Sequence, residues 1–184
     1  FGPAPSGEIK LRSVSTRTET NDRYGAISLD GTRIETIQAS VITYSYGEKD
    51  GYKDILIRAT ATDSIVKTTD YYGNVSETKT SYEYGVVLGQ GKVMRTKTDI
   101  DSRNIDGSTS ETIGGCEEVL EYSYDERTGI LSGISNIQDS IVLNNDGFGN
   151  KTVSITHKEF GPAPSGEIKL RSVSTRTETN ETYG

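Results

Sequence analysis

One histidine, one cysteine, one methionine and no tryptophan stand in a chain of 184 residues. Catalysis or metal binding built on several imidazoles or thiols is excluded by that scarcity. Cys116 alone can close no intrachain disulfide and leaves the redox compartment open. No apolar run approaches the roughly 20 residues of a membrane helix, so membrane insertion is not expected. Lys and Arg number 20 against 27 Asp and Glu, a net charge of −7 with a pI near 4.8. That balance argues against nucleic acid or an anionic membrane as partner, because neutralising phosphates needs clustered cations. There is no stretch with apolar residues at helical spacing, and no secretory leader; the chain opens at Phe1 rather than Met, which reads as a cut from something longer.

What is abundant is strand-forming. Ser (20) and Thr (23) together supply 43 residues, and Tyr supplies 11. Hydroxylated, β-branched and aromatic side chains suit a half-solvated pleated surface. The sequence alternates at period two: in TRIETIQASVITYSY, Ile34, Thr36, Gln38, Ser40, Ile42, Tyr44 and Tyr46 share one face of a single long strand. In YKDILIRATA, Ile55, Ile57, Ala59 and Ala61 align on one side, with Asp54, Leu56, Arg58 and Thr60 opposite. Asp30-Gly31, Asp50-Gly51, Asp106-Gly107 and Asp146-Gly147 are turn dipeptides that accept positive φ. The expected class is all-β, made of long antiparallel hairpins.

Self-comparison carries the most information. Residues 1–25 return as residues 160–184, changed only at Asp22/Glu181 and Arg23/Thr182, so the chain is one 159-residue period plus the start of the next. An older duplication lies inside it. Asp63-Ser64-Ile65-Val66 recurs as Asp139-Ser140-Ile141-Val142, and Asp70-Tyr71-Tyr72-Gly73-Asn74 recurs at the same offset as Asp146-Gly147-Phe148-Gly149-Asn150. The expected organisation is 1–25 as the end of one period, 26–101 as a first half-repeat and 102–184 as a second. Sub-units of about 40 residues, a common size for tandem structural repeats, are marked by aromatic pairs followed by a turn. These are Tyr44/Tyr46 with Gly47, Tyr82/Tyr84 with Gly85, Tyr122/Tyr124 with Asp125, and Phe160 with Gly161, the last having Lys158 in place of its first aromatic. Gly31, Gly51, Gly73, Gly107, Gly129 and Gly149 are the expected hairpin turns, and Gly91 and Gly166 extend the series. A unit so short and so poor in apolar residues cannot offset its ordering entropy alone and must lean on its neighbours.

Tyr122-Ser123-Tyr124-Asp125-Glu126-Arg127-Thr128-Gly129-Ile130-Leu131 resembles the Tyr-x-Tyr-Asp, Gly, branched-aliphatic pattern of bacterial YD (Rhs-type) repeats. The Asp70–Asn74 and Asp146–Asn150 stretches are similar to the turn that such repeats use before the next strand. The near-identical long period is similar to giant bacterial adhesins and surface filaments. These resemblances imply a large, cell-surface or extracellular β-sheet assembly.

Other chemistry is weighed against plain structure. His157 would need a nucleophile and an orienting acid to work as a base, and the other half has Ser81 in its place, so it reads as a strand residue. Cys116, followed by Glu117 and Glu118, has neighbours that disfavour a thiolate. Asp99, Asp101, Asn104, Asp106 and Glu111 could offer calcium hard oxygens, but Arg103 interrupts the spacing and a polar turn is preferred. The Tyr pairs could stack on a glycan, yet their recurrence at the repeat period favours packing between adjoining units. Gly89-Gln90-Gly91-Lys92 reads as a hairpin turn, not a phosphate loop. No catalytic, cofactor or metal residues are assigned. The expected function is non-enzymatic: a structural tandem repeat of a filament, stalk or giant surface protein, self-stacked as a repeat sheet or β-solenoid with adjacent repeats or other copies as partners, chains also being able to join by strand addition where 1–25 and 160–184 are equivalent. Its rivals are a YD-type shell enclosing a toxin and a glycan-binding adhesin module.

Overall fold

A computed structural model describes residues 2–3, 9–16 and 31–179. Most of the 1–25 copy, Asp30 and residues 180–184 lie outside the described residues. The strands are β1 (Gly2–Pro3), β2 (Ile9–Lys10), β3 (Ser13–Thr16), β4 (Arg33–Gln38), β5 (Ser40–Lys49), β6 (Tyr52–Ala61), β7 (Ser64–Thr69) and β8 (Val75–Val87). They continue as β9 (Gln90–Arg103), β10 (Thr109–Thr112), β11 (Glu118–Tyr124), β12 (Leu131–Gln138), β13 (Ser140–Asn145), β14 (Lys151–Pro162) and β15 (Ile168–Thr179). No helix occurs among the described residues, and every pairing is antiparallel in open sheets.

The largest sheet runs β4-β7-β8-β9-β10-β13-β14-β15, with β11 and β12 attached beside β9. The second four strands of this path repeat the first four. Arg33↔Thr69 becomes Thr109↔Asn145, and Ser64↔Thr80 becomes Ser140↔Thr156. Tyr84↔Val93 likewise becomes Phe160↔Leu170. The boundary expected at 101/102 falls inside β9, which ends only at Arg103.

Two expectations about faces need correction. The single strand expected from Thr32 to Tyr46 is broken at Ala39, with β4 and β5 in different sheets. Thr36 faces Val66 and Gln38 faces Ile65, so Ile37 is squeezed out as a bulge and the alternation resets. In β6, Ser45 faces Arg58 but Tyr46 faces Leu56, which makes Ile57 a second bulge. Leu56 and Ala59 are therefore the buried pair, at 8% and 3% exposure, while Ile57 is turned outward at 48%. One extra residue transfers the burial from Ile57 to Leu56.

The same bulges explain the glycines after the aromatic pairs. Gly47, Gly85 and Gly161 are not turns; they lie within β5, β8 and β14. Each faces the side chain of a bulge residue: a Cβ there would stand 2.8 Å from Ile57, 2.7 Å from Met94 and 2.6 Å from Arg171 respectively. A larger residue there would have to displace that side chain. Gly91 is also in a strand, β9, where a Cβ would meet Ala59 and the Tyr44 ring at 3.0 Å. The hairpin β5–β6 thus lies over β8 and β9, and this contact holds what core there is. Leu56, Ala59 and Val119 are the only buried apolar residues among those described, and no large side chain is fully enclosed.

Polar rows take over the role of a core. Ser102 donates to Ser76 at 3.0 Å, Ser110 to the Asn144 amide oxygen at 2.8 Å, and the Asn144 amide to Ser154 at 3.0 Å. These cross-strand bonds run perpendicular to the strands and tie one to the next. Acidic side chains close the turns: Asp146 accepts from the backbone N–H groups of Phe148 and Asn150 and from the Asn150 amide, as Asp70 does from Tyr72 and Asn74. Hydrogen bonds, foremost that from the Asn150 side chain, hold the Asp146 carboxyl below the usual carboxylate range.

The hairpins β5–β6 and β8–β9 each turn on two residues in the left-handed region, Asp50-Gly51 at φ 53° and 79° and Leu88-Gly89 at φ 48° and 73°. Leucine is costly there because its Cβ crowds the following carbonyl. Leu88→Asn is expected to raise stability by about 1 kcal/mol, read as a higher urea midpoint at unchanged slope. A lower midpoint would show that the Leu88 contact with Gly129 outweighs the strain.

Candidate functional site

The part of the molecule with a repeated, specific geometry is the seam where one half meets the next. The outer edge of β9 takes two strands of the second half: Asp101–Arg103 pair with β10, and Arg95–Thr98 pair with β11. An equivalent seam joins β3 to β5. There Ser13 faces Thr43 and Thr16 faces Ser40; at β9 Arg95 faces Glu121 and Thr98 faces Glu118. Ser13 and Thr16 thus correspond to Arg95 and Thr98, and Thr43 and Ser40 to Glu121 and Glu118, with the offset constant along each strand.

Tyrosine hydroxyls staple both seams in the same way. Tyr46 donates its phenol O–H to the Leu11 carbonyl at 3.0 Å, and Tyr124 donates to the Val93 carbonyl at 2.9 Å. The residue before each acceptor is a lysine whose ammonium hangs over the same ring, Lys10 at 6.0 Å from the Tyr46 centroid and Lys92 at 5.9 Å from that of Tyr124. Tyr122 exchanges a longer hydrogen bond with Thr96 across the second seam, at 3.4 Å, while Tyr82 meets Ser64 within the first half at 3.2 Å. Burial, and then the phenols of Tyr44, Tyr82 and Tyr124, push the Tyr84 phenol up. Phe160 lies apart, on β14 opposite Leu170. These seven aromatic residues, Tyr44, Tyr46, Tyr82, Tyr84, Tyr122, Tyr124 and Phe160, are half-buried.

The six expected turn glycines have φ of 78° (Gly31), 79° (Gly51), 91° (Gly73), 85° (Gly107), 68° (Gly129) and 103° (Gly149). Gly166 has φ 83°. The turn read at Gly89–Lys92 is made by Leu88 and Gly89, with Gly91 already in β9.

Where the halves differ, the changes are matched. Tyr82 corresponds to Lys158, and Ser40 to Glu118. Lys158 reaches Glu118 at 2.8 Å, and Glu118 is only 8% exposed. The second half thus exchanges an aromatic for an ion pair across the space between β11 and β14. At the second seam Arg95 reaches Glu121 at 3.0 Å and Lys97 reaches Glu117 at 3.1 Å. A cleft of about 350 Å³ beside β9 is lined by Arg95 and Lys97 of this seam together with Tyr82, Glu83 and Gln138, and Arg95 reaches Glu83 at 3.4 Å.

His157 Nδ1 lies 2.7 Å from Asp139, and in the first half Ser81 bonds the matching Asp63, where the ammonium of Lys79 is the larger cause of a lowered carboxyl pKa. Cys116 sits half-buried in the loop before β11, its amide donating to the Ile113 carbonyl and its carbonyl accepting from Ile141. Asp106 accepts from the backbone and hydroxyl of Ser108, and Asp101 faces Arg103 at 3.6 Å. Asp99 and Asp101 lie on β9 and Glu111 on β10. Among the described residues, no three His, Cys, Asp or Glu side chains are grouped so as to hold a metal ion. Among the described residues no helix is long and apolar enough to cross a membrane.

Comparison with protein-family models, with curated proteins and with solved structures gives no match. The seam must be interpreted from its own geometry. Sequence reasoning named Tyr46 and Tyr124 but missed their acceptors. The available signal was the recurrence of one Lys-aliphatic dipeptide, Lys10-Leu11, Lys92-Val93 and Lys169-Leu170.

Tyr124→Phe and Tyr46→Phe are each expected to cost about 1 kcal/mol, while the two substitutions together cost their sum because the seams are separate; unchanged denaturation midpoints would dismiss the staples. Lys158→Met leaves Glu118 buried without its partner and is expected to cost roughly 2 kcal/mol. Adding the first-half residues together, Glu118→Ser with Lys158→Tyr, should recover most of that loss.

Proposed function

We propose that the chain is one period of a non-enzymatic structural array within a larger surface or secreted protein, and that it works by stacking each unit on the one before. The observation that carries this is the double seam: β3–β5 and β9–β11 share one register and one tyrosine-to-carbonyl bond, although their equivalent strands lie far apart in the sequence. A seam that recurs with the repeat is what a chain of many units would use at every junction. The poverty of buried apolar residues supports the same reading, since a unit without an interior gains its stability from neighbours. The resemblance of residues 122–131 to YD repeats supports a place outside the cell. In such an array the turns set spacing, the hydroxyl rows keep the faces wettable, and the Tyr staples fix the register of each unit on the last.

The test is copy number. A chain extended by one further 159-residue period is expected to melt at least about 3 °C higher than the single period, and its longest dimension in solution scattering should grow by an equal increment with each period added. Equal melting points for one and two periods, with the copies scattering as independent beads, would overturn the proposal.

A further inference from the structure

β3, β9 and β15 are three versions of one strand. β3 and β9 each have their outer edge taken, by β5 and by β11. Among the described residues β15 pairs only with β14, and its side chains are exposed along nearly its whole length, Leu170 at 50% and Val173 at 51%. We infer that the outer edge of β15 is a docking edge for strand β5 of a second copy of this chain, in the register Ser172↔Thr43, Val173↔Ile42, Ser174↔Val41 and Thr175↔Ser40, with Tyr46 of that copy donating to the Leu170 carbonyl. The inference takes its partner from the array reading and adds the site through which separate chains join.

Three observations choose this occupant. First, residues 9–20 and 168–179 are the same stretch, Ile-Lys-Leu-Arg-Ser-Val-Ser-Thr-Arg-Thr-Glu-Thr. Whatever β3 offers β5 is offered again by β15, including the lysine and the carbonyl of the Tyr46 staple. Second, the turn leading into the strand is also repeated, for Gly2↔Lys10 and Pro3↔Ile9 match Gly161↔Lys169 and Pro162↔Ile168. Third, charge selects β5 over β11. At the internal seam Arg95 and Lys97 of β9 pair with Glu121 and Glu117, but β15 has Ser172 and Ser174 at the positions of those cations. It would leave the β11 glutamates unanswered, whereas β5 presents the uncharged Ser40-Val41-Ile42-Thr43.

Within one chain, β5 already holds its own β3, so joining two chains is an exchange. The rows between β5 and its partner are conserved in number and kind. The incoming strand differs in what stands behind it: β15 is tied to β14 from Thr152↔Thr179 to Pro162↔Ile168, so the exchange seats β5 on a continuous sheet. Because β5 of one copy meets β15 of the other, the two surfaces joined are different, so the contact is head-to-tail and propagates rather than closing as a dimer.

Two chains, each with Cys116→Ser, test the register. One carries Val173→Cys and the other Ile42→Cys; mixed in a glutathione redox buffer, they are expected to form the mixed disulfide about tenfold more than a pair in which Ser45→Cys replaces Ile42→Cys, since an odd-numbered slip turns the side chain to the other face. Equal yields, or none, count against the edge. The unmodified chain gives the second measurement. Its weight-average mass in sedimentation equilibrium should climb above 20.0 kDa as concentration approaches about 1 mM, the effective concentration at which a tethered β3 competes; a constant 20.0 kDa throughout would overturn the inference even if the cysteine variants fail to fold. Stabilisation by a covalent second period without trapping or association would leave the array standing and remove the docking edge. Trapping without such stabilisation would do the reverse.

Discussion

The covering of one strand's edge by the next strand is the constraint from which the rest of this structure follows. With three buried apolar residues and no large side chain fully enclosed among those described, the hydrophobic effect supplies little of the usual driving force. What remains are ladder hydrogen bonds, rows of hydroxyls and the covering of each edge by the next strand. Such terms are small individually and act only while the neighbour is in place. The seam at β9 is therefore a main structural joint and not an incidental contact.

Three devices make the joint specific. Bulges at Ile57, Met94 and Arg171 interrupt the strands opposite Tyr46, Tyr84 and Phe160, and a glycine beside each bulge leaves room for the displaced side chain. The tyrosines then reach a backbone carbonyl, an acceptor that no side-chain substitution removes. Charge distinguishes otherwise similar strands: the internal seam is ionic through Arg95 and Lys97, where β3 has Ser13 and Ser15 and β15 has Ser172 and Ser174. A sheet of this type reduces its risk of wrong pairing by giving its edges different chemistry.

Much of this was legible in the residues. The strands at Tyr52–Ala61 and in the β8–β9 hairpin, the positive φ of the Asp-Gly turns, and the echo of the first half in the second all follow from local patterns of side chain and turn. The faces of the strands were not legible where a bulge intervened, and Ile57 and Leu56 exchanged places for that reason. Gly47 and Gly85 looked like turns because a glycine after aromatic residues usually is one; their true partners, Ile57 and Met94, stand on the opposite strand of each hairpin. Lys10 and Lys92 carried no signal by themselves, since an ammonium over a ring is a relation between strands and not a property of either.

The sequence alone determined the class, the repeat spacing and the Asp-Gly positions of positive φ, because hydroxyl-rich alternation and positive-φ residues act over a few bonds and the repeat is written in the residues themselves. Only the tertiary structure decided which edge meets which, where a side chain points after a bulge, and that Tyr46 and Tyr124 find the carbonyls of Leu11 and Val93. Those outcomes depend on register between strands distant in the chain, and in a sheet a slip of one residue reverses every face.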